Sequence, residues 1–423
     1  MTNERAWAGR PAPVVTRAEG SFFWDEHGRR LIDGNSGLQN VHIGHGRPEM
    51  AAVAAAQVQR LDYFPVFNGS HDVAERLADE LHGLLPQSER FFLLNSGSEA
   101  MDLALKLLAE YWLLRGESNR TVVIGRRGSY HGGTLGALAP TGIQALRDPF
   151  APLLTETVHI SDPVAADGES DDAAVARLGA ELSSTIARCG PDRVLAFCAE
   201  PVQLWDVPVP PSGYWTEVRR ICAAHDVPLV ADEVITGCGR TGRWFGLDHR
   251  EVAADVVVLG KGLASGYTPI SAVGVSDRIC AVFDSAPDRI LHHVSTTSGH
   301  PVSCALALEN IRIIAEEGLV ERASESGELL RDLLHDAFAG RDYVKAIRGV
   351  GLLNTVLLEM GARDARATEN TTLRNLLLDH GAYLRVDGQI WFIPPLSTES
   401  STLEELVRIA VGAADAWARD RGR

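Results

Sequence analysis

The sequence predicts a doubly wound α/β fold on a large, mostly parallel sheet, together with a smaller α+β unit. Short apolar runs alternate with helical patterns from Phe91 to Val275, which is typical of βα units around a parallel sheet. A chain of 423 residues is longer than one that usually folds around a single hydrophobic core, and 45% of its residues are hydrophobic. We therefore expect a large domain over residues 48–300 and a small domain formed by residues 1–47 and 301–423.

The first stretch of the chain predicts a hairpin followed by a glycine-rich loop. Residues 21–34 indicate two strands with a turn near His27 and Gly28. The loop that follows contains His42 and His45. No set of carboxylates accompanies these histidines, so we interpret them as structural side chains and expect no metal.

Periodicity and short apolar runs predict the remaining elements. Helices are predicted over residues 48–61, 72–84, 174–189, 215–225, 302–317, 320–338, 372–380 and 402–418, and another helix opens at Ser96. Strands are predicted over residues 91–94, 121–125 and 194–199, before Asp232 and before Lys261, and within 344–360, 383–385 and 390–393. The acidic segment 162–172 predicts a surface loop.

Composition excludes several classes of partner and site. The net charge of −16 argues against nucleic acid or an anionic membrane as the main partner. Residues 1–10 lack the apolar stretch of a signal peptide, and no run has the length of a membrane span. The six cysteines show no CxxC spacing, so we expect free thiols, in a cytoplasmic protein.

Lys261 is the first candidate for chemistry. It follows a buried apolar strand and lies between Gly260 and Gly262, which let a ligand approach the backbone closely. The only other lysines are Lys106 and Lys345. A lysine amine forms a Schiff base, whereas arginine does not. The alternative is a strand-end lysine that extends to solvent.

Asp232 ends the preceding strand and is the second candidate. Strand-end side chains of an open parallel sheet line the crevice where ligands bind, so Asp232 and Lys261 are expected to face one another. Pyridoxal phosphate requires this pair: a lysine for covalent attachment, and an acid that keeps the pyridine nitrogen protonated. The sequence therefore predicts pyridoxal phosphate as the cofactor.

Two further segments favour the same cofactor. Ser96 and Glu99 have the spacing of a capping box at the start of a helix, where free amides and hydroxyls bind a phosphate. Tyr130 follows another strand and is suited to stack on a planar ring. The alternatives are an ordinary capped helix and a loop tyrosine without a ligand.

Residues 237–242 match the GxGxxG pattern of dinucleotide-binding proteins. That fingerprint needs a following helix whose start receives the pyrophosphate. Residues 243–246 do not continue as an apolar-periodic helix, so we do not predict a dinucleotide site.

Together these motifs resemble the class III (omega) pyridoxal-phosphate aminotransferases, of the aspartate-aminotransferase-like fold (fold type I). The resemblance covers nearly the whole chain. Its motifs are Asp33-Gly34, Gly44–Gly46, Asn95–Ala100, Tyr130–Gly132, Glu200–Val202, Asp232–Val234, Gly239–Gly242, Gly260–Gly262, Thr296–Pro301 and Pro394–Leu396.

The resemblance implies a role for each residue of the cofactor site. Lys261 would form the internal aldimine and carry the proton between Cα and C4′, and Asp232 would pair with the pyridine nitrogen. The ring would lie between Tyr130 and Val234. Thr296 would reach the phosphate of the neighbouring subunit, which implies a homodimer with shared active sites. The implied cofactor-binding residues are Ser96, Gly97, Ser98, Tyr130, His131, Glu200, Asp232, Val234, Lys261 and Thr296, with Gly97 and Ser98 at the phosphate.

The substrate side departs from the family's pattern. Many relatives carry an arginine just before the double proline, where this chain has Trp391. Arg385 resembles the arginine of the diaminopelargonic-acid aminotransferases, with spacing shorter by one. Trp205 lies where a glycine-rich segment is common, and Gln39 replaces a frequent tryptophan. These four residues form the predicted substrate pocket, with Trp391 as an apolar wall or, alternatively, as core filling.

The function predicted is transfer of an amino group from an amine or amino acid to a ketone or aldehyde, in a ping-pong cycle through pyridoxamine phosphate. The altered pocket suggests an acceptor other than a plain α-keto acid, and one hypothesis is the tailoring of a peptide natural product of the daptide type. The alternatives are an aminotransferase of the diaminopelargonic-acid type, an epimerase or aminomutase on the same scaffold, and a non-catalytic cofactor-binding protein.

Overall fold

The computed structural model describes residues 13–250, 252–289, 291–361 and 363–421, excluding the side chains of residues 363–365. The segment inspected for a signal peptide, residues 1–10, lies outside this range. The described chain divides into two compact units. The central unit comprises residues 49–238 and 243–313, and the terminal unit comprises the described residues up to 48, 239–242 and those from 314 onward. The predicted assignment of domains stays a prediction.

Strands and helices are numbered in chain order. The strands are β1 (Val15–Glu19), β2 (Phe22–Asp25), β3 (Arg30–Asp33), β4 (Ser88–Leu94), β5 (Val122–Arg126), β6 (Thr157–Ile160), β7 (Val194–Ala199), β8 (Leu229–Asp232), β9 (Val256–Leu259), β10 (Ser271–Ser276), β11 (Val344–Val350), β12 (Leu353–Leu358), β13 (Ala382–Tyr383) and β14 (Gln389–Phe392). The helices are α1 (Ser36–Gln39), α2 (Pro48–Arg60), α3 (Asp72–Leu84), α4 (Gly97–Leu114), α5 (Leu135–Leu138), α6 (Gln144–Arg147), α7 (Asp171–Cys189), α8 (Tyr214–Ala224), α9 (Asp277–Asp284), α10 (Pro301–Glu316), α11 (Leu319–Phe338), α12 (Arg363–Asp379) and α13 (Ser400–Arg421).

The central unit is built on a seven-stranded sheet of order β4-β10-β9-β8-β7-β5-β6. β9, β8, β7, β5 and β6 run parallel, whereas β10 is antiparallel to both β4 and β9. Every residue of β5, β7, β8 and β9 is buried, as expected for parallel strands covered on both faces. The prediction of a doubly wound, mostly parallel sheet is confirmed.

Helix α4 begins where the sequence predicts it, but its cap differs from a full capping box. The Oγ of Ser96 accepts the N–H of Glu99 at 3.2 Å. The Oε2 of Glu99 accepts the N–H and the side-chain amide of Asn95, each at 3.0 Å, rather than the N–H of Ser96. Apolar side chains on one face of the helix, including Leu103, Leu107 and Tyr111, are buried against the sheet.

The terminal unit carries two smaller sheets. One has the order β1-β2-β3-β13, and the predicted hairpin forms its β2-β3 pair, with Gly28 in the left-handed turn (φ +75°). The other has the order β11-β12-β14 and is antiparallel. Helix α13 packs on α11 and α12, which gives the predicted α+β architecture.

Most predicted elements agree with the structure to within a few residues. The largest difference is α12, which begins at residue 363 instead of 372, because polar residues such as Thr368 and Asn370 hide its apolar periodicity. Residues 237–242 do not open a helix, as expected. Among the described helices, none is both long and apolar enough to cross a membrane.

Candidate active site

Three backbone segments meet at the carboxyl end of the central sheet. They contain Gly97 at the start of α4, Val234 after β8, and Gly260 after β9. A Cβ atom at Gly97 would lie 3.1 Å from both methyl groups of Val234, and one at Gly260 would lie 3.7 Å from the Cα of Gly97. The sheet topology therefore brings together the predicted phosphate site, Asp232 and Lys261, with the Val234 side chain packed against both glycines.

Lys261 is the second residue after β9 and is half-buried. Its φ of +40° lies in the left-handed region, which a residue with a Cβ adopts at a cost. Such backbone conformations are held by their surroundings and cluster at functional sites. The strand-end location predicted for Lys261 is observed.

Asp232 is 3% exposed, and both of its carboxylate oxygens have partners. Oδ1 accepts the N–H of Val234 at 3.1 Å, and Oδ2 lies 2.7 Å from Nδ1 of His131. The backbone N–H of His131 donates to Oγ1 of Thr141 at 3.0 Å. The Nε2 of His131 is buried and has no hydrogen-bond partner among the described residues. The site thus contains a buried acid oriented by an imidazole whose second nitrogen is unpaired.

Glu200 is a second buried acid of this site and is 2% exposed. Its carboxylate oxygens lie 3.4 Å from the N–H groups of Tyr130 and Leu204, at the long end for hydrogen bonds. The pKa of Glu200 is raised to about 7, chiefly by burial and also by the charge of Asp232, while His131 and Arg126 act in the opposite direction. Glu200 therefore changes its charge near neutral pH.

Arg126 was missed by the sequence analysis. It ends β5, is 0% exposed, and donates to the carbonyl oxygen of Glu200. Its guanidinium carbon lies 5.4 Å from the ring centre of Trp215, in cation–π contact. The sequence contains a pattern that could have identified Arg126, because a charged residue at the end of a buried strand is also the pattern that identified Lys261.

The predicted phosphate site is bordered by the segment that carries Tyr130. The N–H of Gly133 donates to Oγ of Ser98 at 3.1 Å, and a Cβ at Gly132 would lie 2.5 Å from that oxygen. Gly132 has a φ of +145°, so the close approach and the backbone both favour glycine here. Tyr130 itself is exposed. The Tyr130 segment therefore lies against the amino-terminal end of α4.

Thr296 lies in a hydroxyl-rich turn that is bonded to this same end of α4. Asn95 donates to Oγ of Ser295 at 2.6 Å and accepts from Oγ1 of Thr297 at 2.8 Å. The carbonyl of Thr296 accepts from the Tyr63 hydroxyl at 2.8 Å. The backbone of Thr296 is thus held while the residue as a whole stays exposed.

Trp205 lies in an irregular segment after Glu200 and is half-buried. The next two residues, Asp206 and Val207, have φ values of +58° and +40°. Consecutive left-handed residues that include a β-branched side chain indicate local strain. The structure therefore gives this unusual segment a defined, strained conformation near the end of β7.

The other three residues of the predicted substrate pocket belong to the terminal unit. Gln39 is 1% exposed and donates to the side chain of Asn35 at 3.0 Å. Trp391 is 0% exposed, and the half-buried Arg385 places its guanidinium 4.6 Å from the centre of the Trp391 ring. Trp391 therefore takes the alternative left open by the sequence, a core side chain. Its indole offers no free apolar wall, because the protein itself covers both the ring and its edges.

The central unit fits pyridoxal phosphate by the observed geometry. Gly97 and Gly260 pack closely against one side of Val234, where a side chain at Gly97 would crowd its methyl groups. Asp232 supplies a buried carboxylate, and His131 has an unsatisfied Nε2 that no described residue explains. The amino-terminal end of α4, with its backbone amides and the hydroxyls of Ser96 and Ser98, suits a phosphate. Lys261 supplies the amine.

Comparison with known proteins agrees with this geometry. The aminotransferase class-III family model matches residues 5–413. The putrescine–pyruvate aminotransferase of Pseudomonas aeruginosa is 34% identical over 412 residues, covering 94% of this chain and 90% of that protein. The diaminobutyrate–2-oxoglutarate transaminase of Halomonas elongata is 32% identical, with 94% and 89% covered. The crystal structure of an (S)-enantioselective omega-transaminase from Thermomicrobium roseum superimposes with a TM-score of 0.93 at 36% identity, covering 96% of this chain and 93% of that one.

The fold and the site define a pyridoxal-phosphate enzyme of fold type I. The chain belongs to the class III aminotransferases. It is a transaminase that depends on pyridoxal phosphate, and the resemblance inferred from the motifs is confirmed.

Proposed function

We propose that Lys261 binds pyridoxal phosphate through its Nζ and that Asp232 pairs with the pyridine nitrogen. Gly97 and Ser98 bind the phosphate at the start of α4, and Tyr130 covers the ring opposite Val234. The observation that carries this proposal is the meeting of Gly97, Val234 and Gly260 within van der Waals reach. It supports one compact site assembled from three strand ends.

When bound, pyridoxal phosphate withdraws electrons from the substrate carbon that carries the amino group, so that its proton becomes acidic. The Nζ of Lys261 takes this proton and returns it at the other end of the transfer, acting as a general base and then a general acid. The carboxylate of Asp232 stabilises positive charge at the ring nitrogen. His131 holds that carboxylate in place through Oδ2, and Oδ1, which accepts the N–H of Val234, has a second lone pair for the ring nitrogen.

Glu200 and Arg126 influence the electrostatic environment of Asp232. Arg126 anchors the Glu200 backbone, and Glu200 has a pKa of about 7 because it is buried. A protonated Glu200 adds no negative charge beside Asp232, whereas an ionised one does. We therefore assign Glu200 to tuning the electrostatic field around the ring rather than to a proton transfer with substrate.

The substrate we propose is an amine or amino-acid donor with a ketone or aldehyde acceptor. Two relatives are named for donors that carry two amino groups, putrescine and diaminobutyrate, and for the acceptors pyruvate and 2-oxoglutarate. Such names favour a donor amino group distant from any carboxylate. Arg385 is the candidate to bind an acceptor carboxylate, since a guanidinium can stack on an indole and still donate two parallel hydrogen bonds from its edge.

An acceptor of a different kind stays a second proposal. Gln39 and Trp205 depart from the family's pattern, and the strained segment at Asp206 and Val207 supports a specialised pocket. A bulky keto intermediate, including one carried on a peptide natural product, would fit that interpretation. Trp391 does not support this second proposal, because its side chain is completely buried and so offers no apolar surface to an acceptor.

We also propose a homodimer in which Thr296 binds the phosphate of the partner subunit. The exposed Thr296 on an otherwise bonded turn supports this assignment. A cytoplasmic location is proposed as well; Cys198, Cys222, Cys238, Cys280 and Cys304 are all buried free thiols, which fits a reducing compartment.

A two-stage experiment tests the reaction. The holoenzyme is mixed with putrescine, diaminobutyrate or alanine without an acceptor, and loss of the cofactor's visible absorbance is recorded. Pyruvate, 2-oxoglutarate or an uncharged ketone is then added, and recovery of absorbance is followed. An aminotransferase gives both phases, and the second requires an acceptor. An epimerase or aminomutase would convert its substrate without one, and a binding protein would show neither phase with any donor.

A further inference from the structure

The turn that carries Lys261 is held by one fully buried amide on helix α10. Asn310 is 0% exposed. Its Nδ2 donates to the carbonyl oxygens of Gly262 and Leu263, at 2.8 and 3.0 Å. Its Oδ1 accepts from Oγ of Ser265 at 2.5 Å. The two N–H donors and the acceptor of this side chain are therefore used by three of the four residues that follow Lys261, namely Gly262, Leu263 and Ser265.

The carbonyl groups that Asn310 bonds are those that the turn's own backbone does not take up. The carbonyls at positions 260, 261 and 264 accept N–H groups three residues later, at 2.9, 3.3 and 3.0 Å. The carbonyls of Gly262 and Leu263 receive the Asn310 amide instead. Since buried carbonyls need a partner, the amide completes the hydrogen bonding of the turn.

The turn also needs support because its backbone is strained at both ends. Lys261 has a φ of +40° and Ser265 a φ of +49°, both in the left-handed region. Neither residue is a glycine, so each conformation persists only where neighbouring groups maintain it. Asn310 bonds the two carbonyls between these residues and the hydroxyl of Ser265.

Helix α10 contacts the same loop a second time. Oγ of Ser303 lies 2.7 Å from Oγ1 of Thr268. Ser303 and Asn310 are seven residues apart and so lie on one face of the helix, two turns from each other. Apart from these polar groups the helix buries Cys304, Ala307 and Ile311. A buried asparagine weakens a helix interior compared with such apolar residues, so its presence indicates a role in the turn.

We propose that Asn310 is the positioning residue for Lys261. It keeps the turn in the conformation that directs the Lys261 side chain from the strand end toward Asp232 and Val234. This inference rests on the proposed attachment of the cofactor to Lys261. Asn310 touches neither cofactor nor substrate, and it acts through the carbonyls of Gly262 and Leu263.

The test compares Asn310→Asp with the parent. Aspartate keeps the shape and the acceptor but loses both N–H donors. Apoprotein is mixed with pyridoxal phosphate, the linkage is reduced with borohydride at timed intervals, and labelled Lys261 is measured by mass spectrometry. We expect attachment slowed by about tenfold to a hundredfold, because small displacements of a reacting group have effects of this size. Hydrogen exchange of the apoprotein should be faster in the peptide covering residues 261–265.

Asn354→Asp is the matched control. Asn354 is also 0% exposed and donates from Nδ2 to the carbonyl of Gly351 at 2.8 Å, in the terminal unit. It should lose thermal stability without a change in attachment rate or in exchange of the Lys261 peptide. Ser265→Ala, which removes one hydrogen bond of the turn, should slow cofactor attachment less than Asn310→Asp does. If Asn310→Asp does not fold, Ser265→Ala is used to test the positioning role in its place.

The outcomes are distinguishable. Attachment and exchange in Asn310→Asp that match the parent would overturn the positioning role and leave the proposed function intact. Equal slowing by Asn354→Asp would also overturn it, since the effect would then follow stability alone. A parent protein that is labelled at a residue other than Lys261 would overturn the proposed function and this inference together.

Discussion

The Nδ1 of His131 lies 2.7 Å from Oδ2 of Asp232, and both side chains are buried. They are separated by 101 positions in the sequence and meet because β5 and β8 lie in the same parallel sheet. The imidazole occupies Oδ2 of the carboxylate that we propose to pair with the pyridine nitrogen.

His131→Phe keeps the ring's size and removes the hydrogen bond. We expect the rate of the first half-reaction to fall about tenfold, and Asp232→Asn to lower it at least about a hundredfold, because charge at the ring nitrogen matters most in the transition state. Stopped-flow absorbance with a saturating amine measures both. His159→Phe is the control: His159 bonds the carbonyl of Pro140 instead, at 3.1 Å. A His131→Phe rate equal to that of His159→Phe would contradict the assignment.

Lys261→Ala should abolish covalent labelling by pyridoxal phosphate and borohydride. The chain offers two control lysines, and Lys345→Ala is the better one because Lys345 is 49% exposed and pairs with Glu359 at 3.1 Å. That variant should label as the parent does. Labelled cofactor that persists in Lys261→Ala, located by peptide mass spectrometry, would assign the attachment to another lysine.

Glu200 should make stability depend on pH. Its folded pKa of about 7 is raised from 4.5, so folding favours the protonated form. Stability from this group is complete below about pH 4.5 and is lost as the pH rises through about 7. Relative to Glu200→Gln, the parent apoprotein should lose up to about 3 kcal/mol of unfolding free energy between about pH 4.5 and 8, since each pKa unit corresponds to about 1.4 kcal/mol.

Urea unfolding of both proteins at several pH values measures this difference. Glu233, whose pKa burial also raises to about 7, is present in both proteins, so its contribution cancels in the comparison. Parallel stability curves for the parent and Glu200→Gln across this range would show that Glu200 stays ionised in the folded protein.

Arg385→Ala should raise KM for pyruvate and 2-oxoglutarate about tenfold, because a charge-assisted bidentate contact is lost. An uncharged ketone should be unaffected. Arg408→Ala is the control, since Arg408 is 72% exposed on the same unit. Equal effects on all acceptors would contradict carboxylate binding by Arg385 and would favour a role in covering Trp391.

Mixed dimers test the role of Thr296. Lys261→Ala subunits combined with Thr296→Ala subunits should produce one site with both changes and one intact site, so activity should exceed that of either homodimer. Thr297→Ala is the control, because Thr297 bonds Asn95 of its own chain at 2.8 Å and should give no rescue. Full activity of a monomer in sedimentation would contradict the shared site.

The local sequence pattern predicted much of the fold and the location of the candidate residues Lys261 and Asp232 at strand ends. Lys261 and Asp232 are predictable because a buried strand has a readable apolar run, and the residue after it is directed to the sheet edge. The start of α4 is likewise marked by Ser96 and Glu99 within four residues. The predicted helix at α12 was shorter than the observed one, because polar residues obscure the helical period of its apolar residues.

The sequence by itself determined the class of enzyme, the cofactor and the strand-end residues, since each depends on contiguous residues or on motif order. Only the tertiary structure decided the contacts of His131 with Asp232, of Arg126 with the Glu200 backbone, and of Asn310 with the Lys261 turn. It also decided that Trp391 is core. Such contacts join residues far apart in the chain, and their partners follow from strand order and helix packing, which no local period of apolar residues encodes.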